Sequence, residues 1–377
     1  MKIGNLDITN PKIGTTPINK VYVGNNKVWP NIVSDFIFEI DTTLGDGLNT
    51  MHLKIQQNSD IVIHWGDDST NTLVGHGQSI THTYSTSGIY LIKYVGTFVN
   101  PTFFESTTPQ KLISIKNWGT SISNLSNCFK TCINLSNINT PDKPILSGPN
   151  PSVFQNTKII NGINGWDFSN ITNLTNFLYG ASLYNEQLIL NSSNCTDFGR
   201  FLQGATSFNS NLTVDCASVT NNSLMYFFMF GCTNFNSTLT FNNHQGDHSF
   251  QSFFAGCSSL TNLNNININL TNINQGYAMF QNSNNFNDDL TNFEFTNLTS
   301  GNRLKYFLQN TSFSDSNYQV SLIHITGWNG TTATKTLSSN IEAHFNNARY
   351  EIGGQSENAR NYLINTLGWT ITDGGGI

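Results

Sequence analysis

The chain has 377 residues and a formal net charge of −6, and only 11% of its residues are charged, less than half the usual share. Hydrophobic residues make up 37%, including 27 phenylalanines, which predicts a packed core rather than a disordered chain. No basic patch would follow a phosphate backbone, and no stretch approaches the about 20 apolar residues of a membrane span. We therefore expect neither nucleic-acid binding nor membrane insertion.

Residues 1–32 are predicted to form a small β segment. Apolar runs at Val21–Val23 and Val28–Trp29 flank a Gly-Asn-Asn turn, a pattern typical of a hairpin. From Ile13 to Pro30 the sequence resembles a short segment of bacteriophage tail and other virion proteins, which implies attachment to other virion proteins. Met1–Asp7 contains no apolar run that would act as a signal peptide. We therefore expect assembly in the host cytoplasm.

Residues 33–100 are predicted to form a small β-sandwich. They contain β-branched or aromatic runs, partly alternating with polar residues and bounded by Gly, Asp, Asn and Ser. The predicted strands are Phe36–Ile40, Met51–Ile55, Ile61–Trp65 and Ile89–Val95.

Two motifs in this unit carry a family resemblance. The turn Trp65–Ser69 and the later stretch His82–Tyr90 resemble those of PKD-like modules, an immunoglobulin-like sandwich family, with Asp68 where the family has glycine. We expect Asp67 and Asp68 to bond nearby backbone amides in a turn, with calcium binding as the alternative. His64 and His82 are expected to be packed strand residues rather than ligands.

Residues 101–318 contain a motif that recurs about eight times. A stretch such as Phe201–Leu212 repeats at intervals of 24 to 28 residues, a period that indicates a solenoid. Lys111–Gly119 is predicted to be the strand that leads into it. The second apolar residue of each copy lies at Phe129, Phe154, Leu178, Leu202, Met229, Phe254, Phe280 and Leu308.

One cycle has an interpretable pattern. Ile171, Leu174, Phe177 and Leu178 fall at helical spacing, which predicts a short helix capped by Ser169 or Asn170. Gly180 would end it in a left-handed conformation. Short extended pieces follow each motif and are expected to pair into a parallel sheet. They are Gln187–Leu190, Asn211–Val214, Thr238–Phe241, Asn265–Ile268 and Asn292–Phe295. Their inward ladder would consist of Leu212, Leu239, Ile266 and Phe293.

The cycle from Trp166 to Ala181 closely resembles the BspA-like repeat of bacterial surface proteins, a leucine-rich-type repeat. The resemblance covers about half of the chain, although other cycles lack the Trp-Asp pair and have Phe or Leu where the family has Met. It implies a solenoid of short parallel strands. Asn at the bends would tolerate left-handed backbone and bond neighbouring cycles.

Several residue groups in the repeats suggest chemistry. Cys132, Cys232 and Cys257 occupy a position filled elsewhere by Ala, which favours buried, reduced thiols; half a metal site at Cys128 and Cys132 is the alternative. The pair His244 and His248 suggests a metal site, but a solvated bend is favoured. Asp288 and Asp289 could act in acid–base chemistry, but a solvated turn is again favoured. We predict no catalytic, metal or cofactor-binding residue.

Residues 319–377 are predicted to cap the solenoid. Tyr318–Ile325 suits a strand or short helix. Glu357–Leu367 suits a helix with Ser356 as N-cap and Gly368 as stop, and Trp369–Asp373 suits a closing strand. This ending resembles that of BspA-like repeat proteins, including phage-encoded ones.

The predicted fold is therefore mixed β and α/β: an all-β N-terminal part with a PKD-like sandwich, then a leucine-rich-type solenoid and a cap. The predicted function is adhesion on a phage particle, as a tail fibre, receptor-binding or head-decoration protein. Its partners would be virion proteins and a host surface glycan or protein, and homo-oligomers are possible. A bacterial cell-surface adhesin is the alternative. A glycan-degrading enzyme is less favoured, because the repeats are almost free of clustered carboxylates.

Overall fold

The structure is a computed structural model that describes residues 35–55, 59–75, 77–103, 108–219, 225–244, 248–271 and 273–377. Between residues 2 and 29 it also describes the backbone of short strands. These are β1 (Lys2–Ile3), β2 (Leu6–Asp7), β3 (Lys12–Ile13), β4 (Thr16–Pro17), β5 (Val21–Val23) and β6 (Asn26–Trp29). They form three antiparallel pairs, and the pairing of β5 with β6 confirms the predicted hairpin.

An antiparallel unit follows, in which all four predicted strands are present. Its strands are β7 (Phe36–Asp41), β8 (Thr50–Ile55), β9 (Ser59–His64), β10 (Thr70–Gly75), β11 (Gln78–Thr83), β12 (Ile89–Thr97) and β13 (Leu112–Asn117). One sheet has the order β10-β9-β12-β7-β13, and β11 pairs with β8. Sequence analysis missed β10 and β11, because their largely polar, exposed residues lack apolar alternation.

Strand β13 joins this unit to the repeats. It follows a 3₁₀ turn at Pro109–Lys111 and pairs antiparallel with β7. It also makes a parallel bridge at Ser114 to Asn137, and the Ile115 N–H donates to the Asn137 carbonyl at 2.8 Å. The predicted leading strand therefore belongs to the antiparallel sheet and is also the first partner of the repeats.

Short parallel strands connect successive repeats. They are β14 (Gly148–Pro149), β15 (Ile171–Asn173), β16 (Leu188–Leu190), β17 (Leu212–Asp215), β18 (Leu239–Asn242), β19 (His248–Ser249), β20 (Ile266–Asn267), β21 (Ile273–Gln275) and β22 (Gly301–Leu304). The main sheet has the order β16-β17-β18-β20, with Leu212 opposite Leu239 and Leu239 opposite Ile266. These predicted strands and their buried ladder are confirmed. Phe293 is buried, but the stretch Asn292–Phe295 is not a strand.

The predicted helix of each repeat is wrong. In the cycle considered above, Ile171–Asn173 is strand β15 and residues 175–180 are turns. Asn176 has a φ of 56° and Gly180 a φ of 68°, and a right-handed helix cannot contain such residues in its interior. The side chains of Phe177 and Leu178 are nevertheless fully buried. Apolar spacing gave the correct inward residues, whereas the backbone reaches that arrangement through two left-handed positions.

These turns recur in every motif copy, and we call the eight segments the turn rows. Each contains a left-handed residue and, four positions later, a second one. The rows are residues 127–131, 152–156, 176–180, 200–204, 227–231, 252–256, 278–282 and 306–310. Within a row, alternate N–H groups donate to the next row, as from Leu178 to Phe201 and from Leu202 to Phe228, both at 2.9 Å.

The core of the rows is a column of aromatic rings. Phe201 stacks on Phe228 with ring centroids 5.5 Å apart, and Phe228 stacks on Phe253 at 5.2 Å. The position after each second left-handed residue is small and buried. It is filled by Cys132, Thr157, Ala181, Ala205, Cys232, Cys257, Ser283 and Thr311. Each row thus buries its apolar residues against its neighbours rather than within itself.

The C-terminal region contains helices α1 (Asp315–Thr326) and α2 (Gln355–Asn361), a π-helical turn (Tyr362–Thr366), and strands β23 (Ile341–His344) and β24 (Thr370–Thr372). The strands run in the order β22-β23-β24, all parallel. The helix alternative for Tyr318–Ile325 and the closing strand are confirmed, and Gly368 ends the second helix with a φ of 68°. The predicted N-cap is wrong: α2 begins two residues earlier than predicted, with Gly354 as N-cap, and the Ser356 hydroxyl accepts the Glu351 N–H instead.

Within the described residues, no helix has the length and apolar character needed to cross a bilayer.

Candidate binding face

The turn at Asp67 and Asp68 is held by hydrogen bonds to Asp67, as predicted for that residue, whereas the exposed Asp68 side chain does not make the predicted bond. The Asp67 carboxylate accepts the Ser69 N–H at 3.2 Å and lies 2.7 Å from Nε2 of His82. Burial opposes ionisation of Asp67, but hydrogen bonds from Ser69 and His82 outweigh it and hold its pKa below the ordinary value. Asp68 has a φ of 66°, in the region that favours glycine and that aspartate tolerates better than most residues. This explains why aspartate can stand at the position where the resembled family has glycine.

The histidines are placed differently from one another. The His82 ring stacks on Trp65 with centroids 4.6 Å apart, as expected for a packed strand residue. The same expectation is wrong for His64, which lies in strand β9 but is exposed. His244 is buried and contacts the Phe241 ring edge-to-face at 5.5 Å. The expectation of a solvated bend is therefore wrong for His244, whose imidazole packs among aromatic rings. The side chain of His248 lies outside the described residues.

The remaining candidates serve the backbone or the core. The Asp288 carboxylate accepts the Leu263 N–H at 2.8 Å, and that of Asp289 accepts the Thr291 N–H at 2.9 Å. Both residues are half-buried and lie outside regular turns. The predicted solvated turn is therefore wrong for Asp288, which bonds the preceding cycle, whereas Asp289 makes a local bond two residues along the chain. The free thiols of Cys128 and Cys132 are fully buried. Across the described parts of the chain, no cluster of three or more His, Cys, Asp or Glu side chains could hold a metal ion.

The exposed and half-buried side chains in and beside the turn rows form a surface, which we call the turn face. Its first stretch is an arginine–aromatic patch formed by Arg200, Tyr226, Phe227 and Phe230. The Arg200 guanidinium lies 5.6 Å from the Tyr226 ring centroid and 5.5 Å from that of Phe227. Phe230 is 37% exposed and lies 5.6 Å from Phe227. Tyr226 covers Gly199, where a Cβ atom would lie within 3.0 Å of the ring.

The second stretch is a polar cleft at the C-terminal end of the turn face, which we call the amide cleft. Its volume is about 160 Å³. It forms where the last turn row meets β23 and the loop after it, since the Leu308 N–H donates to the His344 carbonyl. The residues that line it are Gln309, Asn310, His344, Asn346, Asn347 and Thr372.

A neutralised charge network borders the amide cleft. Oε1 of Glu342 lies 3.1 Å from Nζ of Lys305 and 3.2 Å from Nε2 of His344. Burial opposes ionisation of Glu342, but hydrogen bonds from Lys305 and His344 outweigh it and lower its pKa. The bond to Glu342 raises the pKa of Lys305. The Tyr306 ring contacts His344 edge-to-face with centroids 5.1 Å apart.

Sequence analysis did not find either stretch. The cleft combines side chains from a turn row, β23 and β24, which are distant in sequence and carry no motif. The patch had a weak signal, since Tyr226, Phe227 and Phe230 are aromatic where most of the other rows have polar or small residues. Three aromatic residues that depart from the repeat pattern are candidates for surface recognition.

Comparison with known families finds one match. Residues 151–265 and 213–320 match the model of a family described as a Mycoplasma protein of unknown function, DUF285. The two segments overlap and lie in the part of the chain where the motif recurs. No curated protein and no solved structure matches the chain.

Proposed function

We propose that residues 101–318 form a BspA-like repeat solenoid and that residues 33–100 form a PKD-like sandwich. The first proposal is supported by eight turn rows that are spaced one period apart and hydrogen-bonded in sequence order. The second is supported by the contacts among the motif residues: Trp65 stacks on His82, and the Tyr84 hydroxyl donates to the Trp65 carbonyl at 3.1 Å.

We further propose that the protein is a structural and adhesion protein of a bacteriophage particle, acting as a tail fibre, receptor-binding or head-decoration protein. The observation that carries this proposal is the separation of roles in the turn rows. Fully buried positions are apolar in every row, while the turn face changes from row to row. Such a stack is a rigid support for a variable surface that binds a host surface glycan or protein.

The segment of residues 1–32 would attach the chain to other virion proteins, as its sequence resemblance implies. The same binding surface would serve a bacterial cell-surface adhesin, the second candidate, in which the repeats face the medium. A homo-oligomer is compatible with either role.

A glycan-degrading enzyme is less favoured because several carboxylates in the repeats bond backbone N–H groups of the neighbouring cycle. Oε2 of Glu186 accepts N–H groups from Gly162, Ile163 and Asn164 at 2.9–3.0 Å. Oδ2 of Asp142 accepts two more, from Trp118 and Gly119. Carboxylates held in this way connect cycles and do not face a substrate.

Three measurements test the proposed function. Mass spectrometry of purified virus particles should detect the protein in every preparation, and particles that consistently lack it would exclude the virion role and favour the adhesin. Fluorescently labelled protein should bind host bacteria in flow cytometry, and the absence of binding would exclude adhesion. The pure protein should release no reducing sugar from host glycans.

A further inference from the structure

The amide cleft contains side-chain amides that the fold orients. Nδ2 of Asn310 donates to Oδ1 of Asn282 at 2.8 Å, and Nδ2 of Asn346 donates to the Thr311 carbonyl at 2.7 Å. Each of these bonds uses the amide NH₂ and leaves the Oδ1 oxygen as an acceptor. Oε1 of Gln309 accepts from Nε2 of Gln281 at 2.6 Å, which leaves the Gln309 NH₂ as a donor. Acceptors and donors therefore stand side by side in fixed orientations.

Fixed amides lower the cost of binding. A side chain that is already held by one hydrogen bond loses less rotamer freedom when a ligand arrives than a free surface side chain does. Asn347 and Thr372 complete the lining and are exposed. Asn347 adds a fourth side-chain amide and Thr372 adds a hydroxyl, and each of these two groups can both donate and accept.

The charge at the border of the cleft is already compensated. Glu342 contacts both Lys305 and His344, so the ammonium and carboxylate groups neutralise each other without a ligand. An anionic or cationic ligand would have to compete with this network. The groups that remain open are neutral donors and acceptors, which favours an uncharged ligand.

We propose that the amide cleft binds a neutral saccharide unit of a host surface glycan. A sugar presents neighbouring hydroxyl groups, each a donor and an acceptor, and these match alternating amide oxygens and NH₂ groups. A cleft of about 160 Å³ is smaller than a typical drug-sized pocket, so it takes one sugar unit of a longer chain. This inference rests on the proposed adhesion function and specifies its ligand.

The test is an array of immobilised neutral oligosaccharides, built from hexoses and N-acetylhexosamines, alongside sialylated and sulfated ones. Wild-type protein should bind neutral members. The double variant Asn347→Ala, Thr372→Val should bind them about tenfold more weakly, because it removes two hydrogen-bonding groups. Neither side chain has an internal hydrogen bond in the structure, so the variant should keep the wild-type unfolding temperature. The matched control is Asn297→Ala, an exposed asparagine outside the cleft, which should bind like wild type.

Three results would overturn the inference: no binding to any neutral oligosaccharide, binding confined to charged ones, or equal binding by the double variant. Labelled protein on host bacteria separates this failure from that of the proposed function. If wild type and the double variant bind cells equally, the saccharide site is wrong and adhesion stands. If wild type binds no cells, the adhesion function itself is wrong.

Discussion

The antiparallel unit and the turn rows both bury phenylalanine side chains, but their backbone conformations differ. Strands such as β7 and β12 run for six and nine residues, and ion pairs such as Lys93–Asp35 and Lys116–Glu39 cross their surface. In the repeats the strands have two to four residues, and many of the side chains that connect the cycles are neutral. Asn209 N–H donates to Oδ1 of Asn185, and Asn236 N–H to Oδ1 of Asn209, both at 2.8 Å.

This difference explains the low charge of the chain. Ion pairs such as Lys93–Asp35, Lys116–Glu39 and Arg360–Asp373 lie in the antiparallel unit and at the C-terminal end. A stacked repeat would place identical charges one above another, where like charges repel. An asparagine or serine in the same position can both donate and accept, so a column of them is mutually satisfied. The following predictions test this contrast, beginning with the largest expected effect.

Thiol labelling should report on the repeats alone, since all six cysteines lie between residues 128 and 257 and are buried. Burial raises the pKa of every one of them. We expect a thiol reagent to label the native protein on the order of a thousandfold more slowly than the unfolded protein, because reaction requires local opening. Rates measured with and without denaturant check this. Fast labelling of the native protein would contradict the buried column.

Truncation of one stacked ring should be severe. Phe228→Ala removes the ring between Phe201 and Phe253 and should lower the free energy of unfolding by about 3–5 kcal/mol, as measured by chemical denaturation. Phe230→Ala, in the same row but on the turn face, is the control and should cost less than about 1 kcal/mol. Equal losses from the two variants would mean that the rows are not held by their core.

The left-handed position of a turn row can be tested at Gly204, which has a φ of 75°. A Cβ atom there would have no neighbour closer than 3.7 Å, so substitution tests backbone strain alone. Gly204→Ala should cost about 1–2 kcal/mol. Gly204→Asn should cost less, because asparagine tolerates this conformation and occupies the same row position at Asn156 and Asn282. Thermal unfolding of both variants provides the comparison; a helical row would give the reverse order.

A smaller, pH-dependent effect is expected where the two regions meet. Nζ of the fully buried Lys111 lies 2.7 Å from the Asp46 carboxylate, which is 38% exposed. The hydrogen bond from Lys111 holds the pKa of Asp46 below its ordinary value near 3.8. A lowered folded-state pKa stabilises the protein above the unfolded value, and this contribution disappears as pH falls through the folded value. Asp46→Asn should therefore cost at most about 1 kcal/mol near pH 7, and progressively less in acid, as the Asp46 carboxylate becomes protonated in the folded protein. Denaturation at neutral pH and over a series of acid pH values checks this, and an effect that does not decline in acid would exclude the ion pair as its source.

Sequence reasoning was most successful where the type of residue by itself indicates whether its side chain is buried. The recurrence of Phe-Leu-Gly-Ala-type motifs predicted which side chains are buried, and the alternating runs predicted four strands of the antiparallel unit. It failed where more than one backbone conformation of a segment can bury the same side chains. Helical spacing at Ile171, Leu174 and Phe177 is equally satisfied by a strand followed by a left-handed turn, and only contacts with the next cycle select the turn. His244 failed for a related reason, since its polar neighbours in sequence gave no sign of the aromatic rings around it.

The sequence by itself determined the period of the repeats, the residues of their core and the glycine and asparagine positions that permit left-handed backbone, because these depend on side-chain size and local sterics. Only the tertiary structure decided the backbone path of each row, the double role of β13 and the amide cleft. Hydrogen bonds between rows join groups that are far apart in sequence, such as the Leu178 N–H and the Phe201 carbonyl, and the cleft brings together side chains from three separate elements. Such arrangements depend on how cycles stack, which no local pattern encodes.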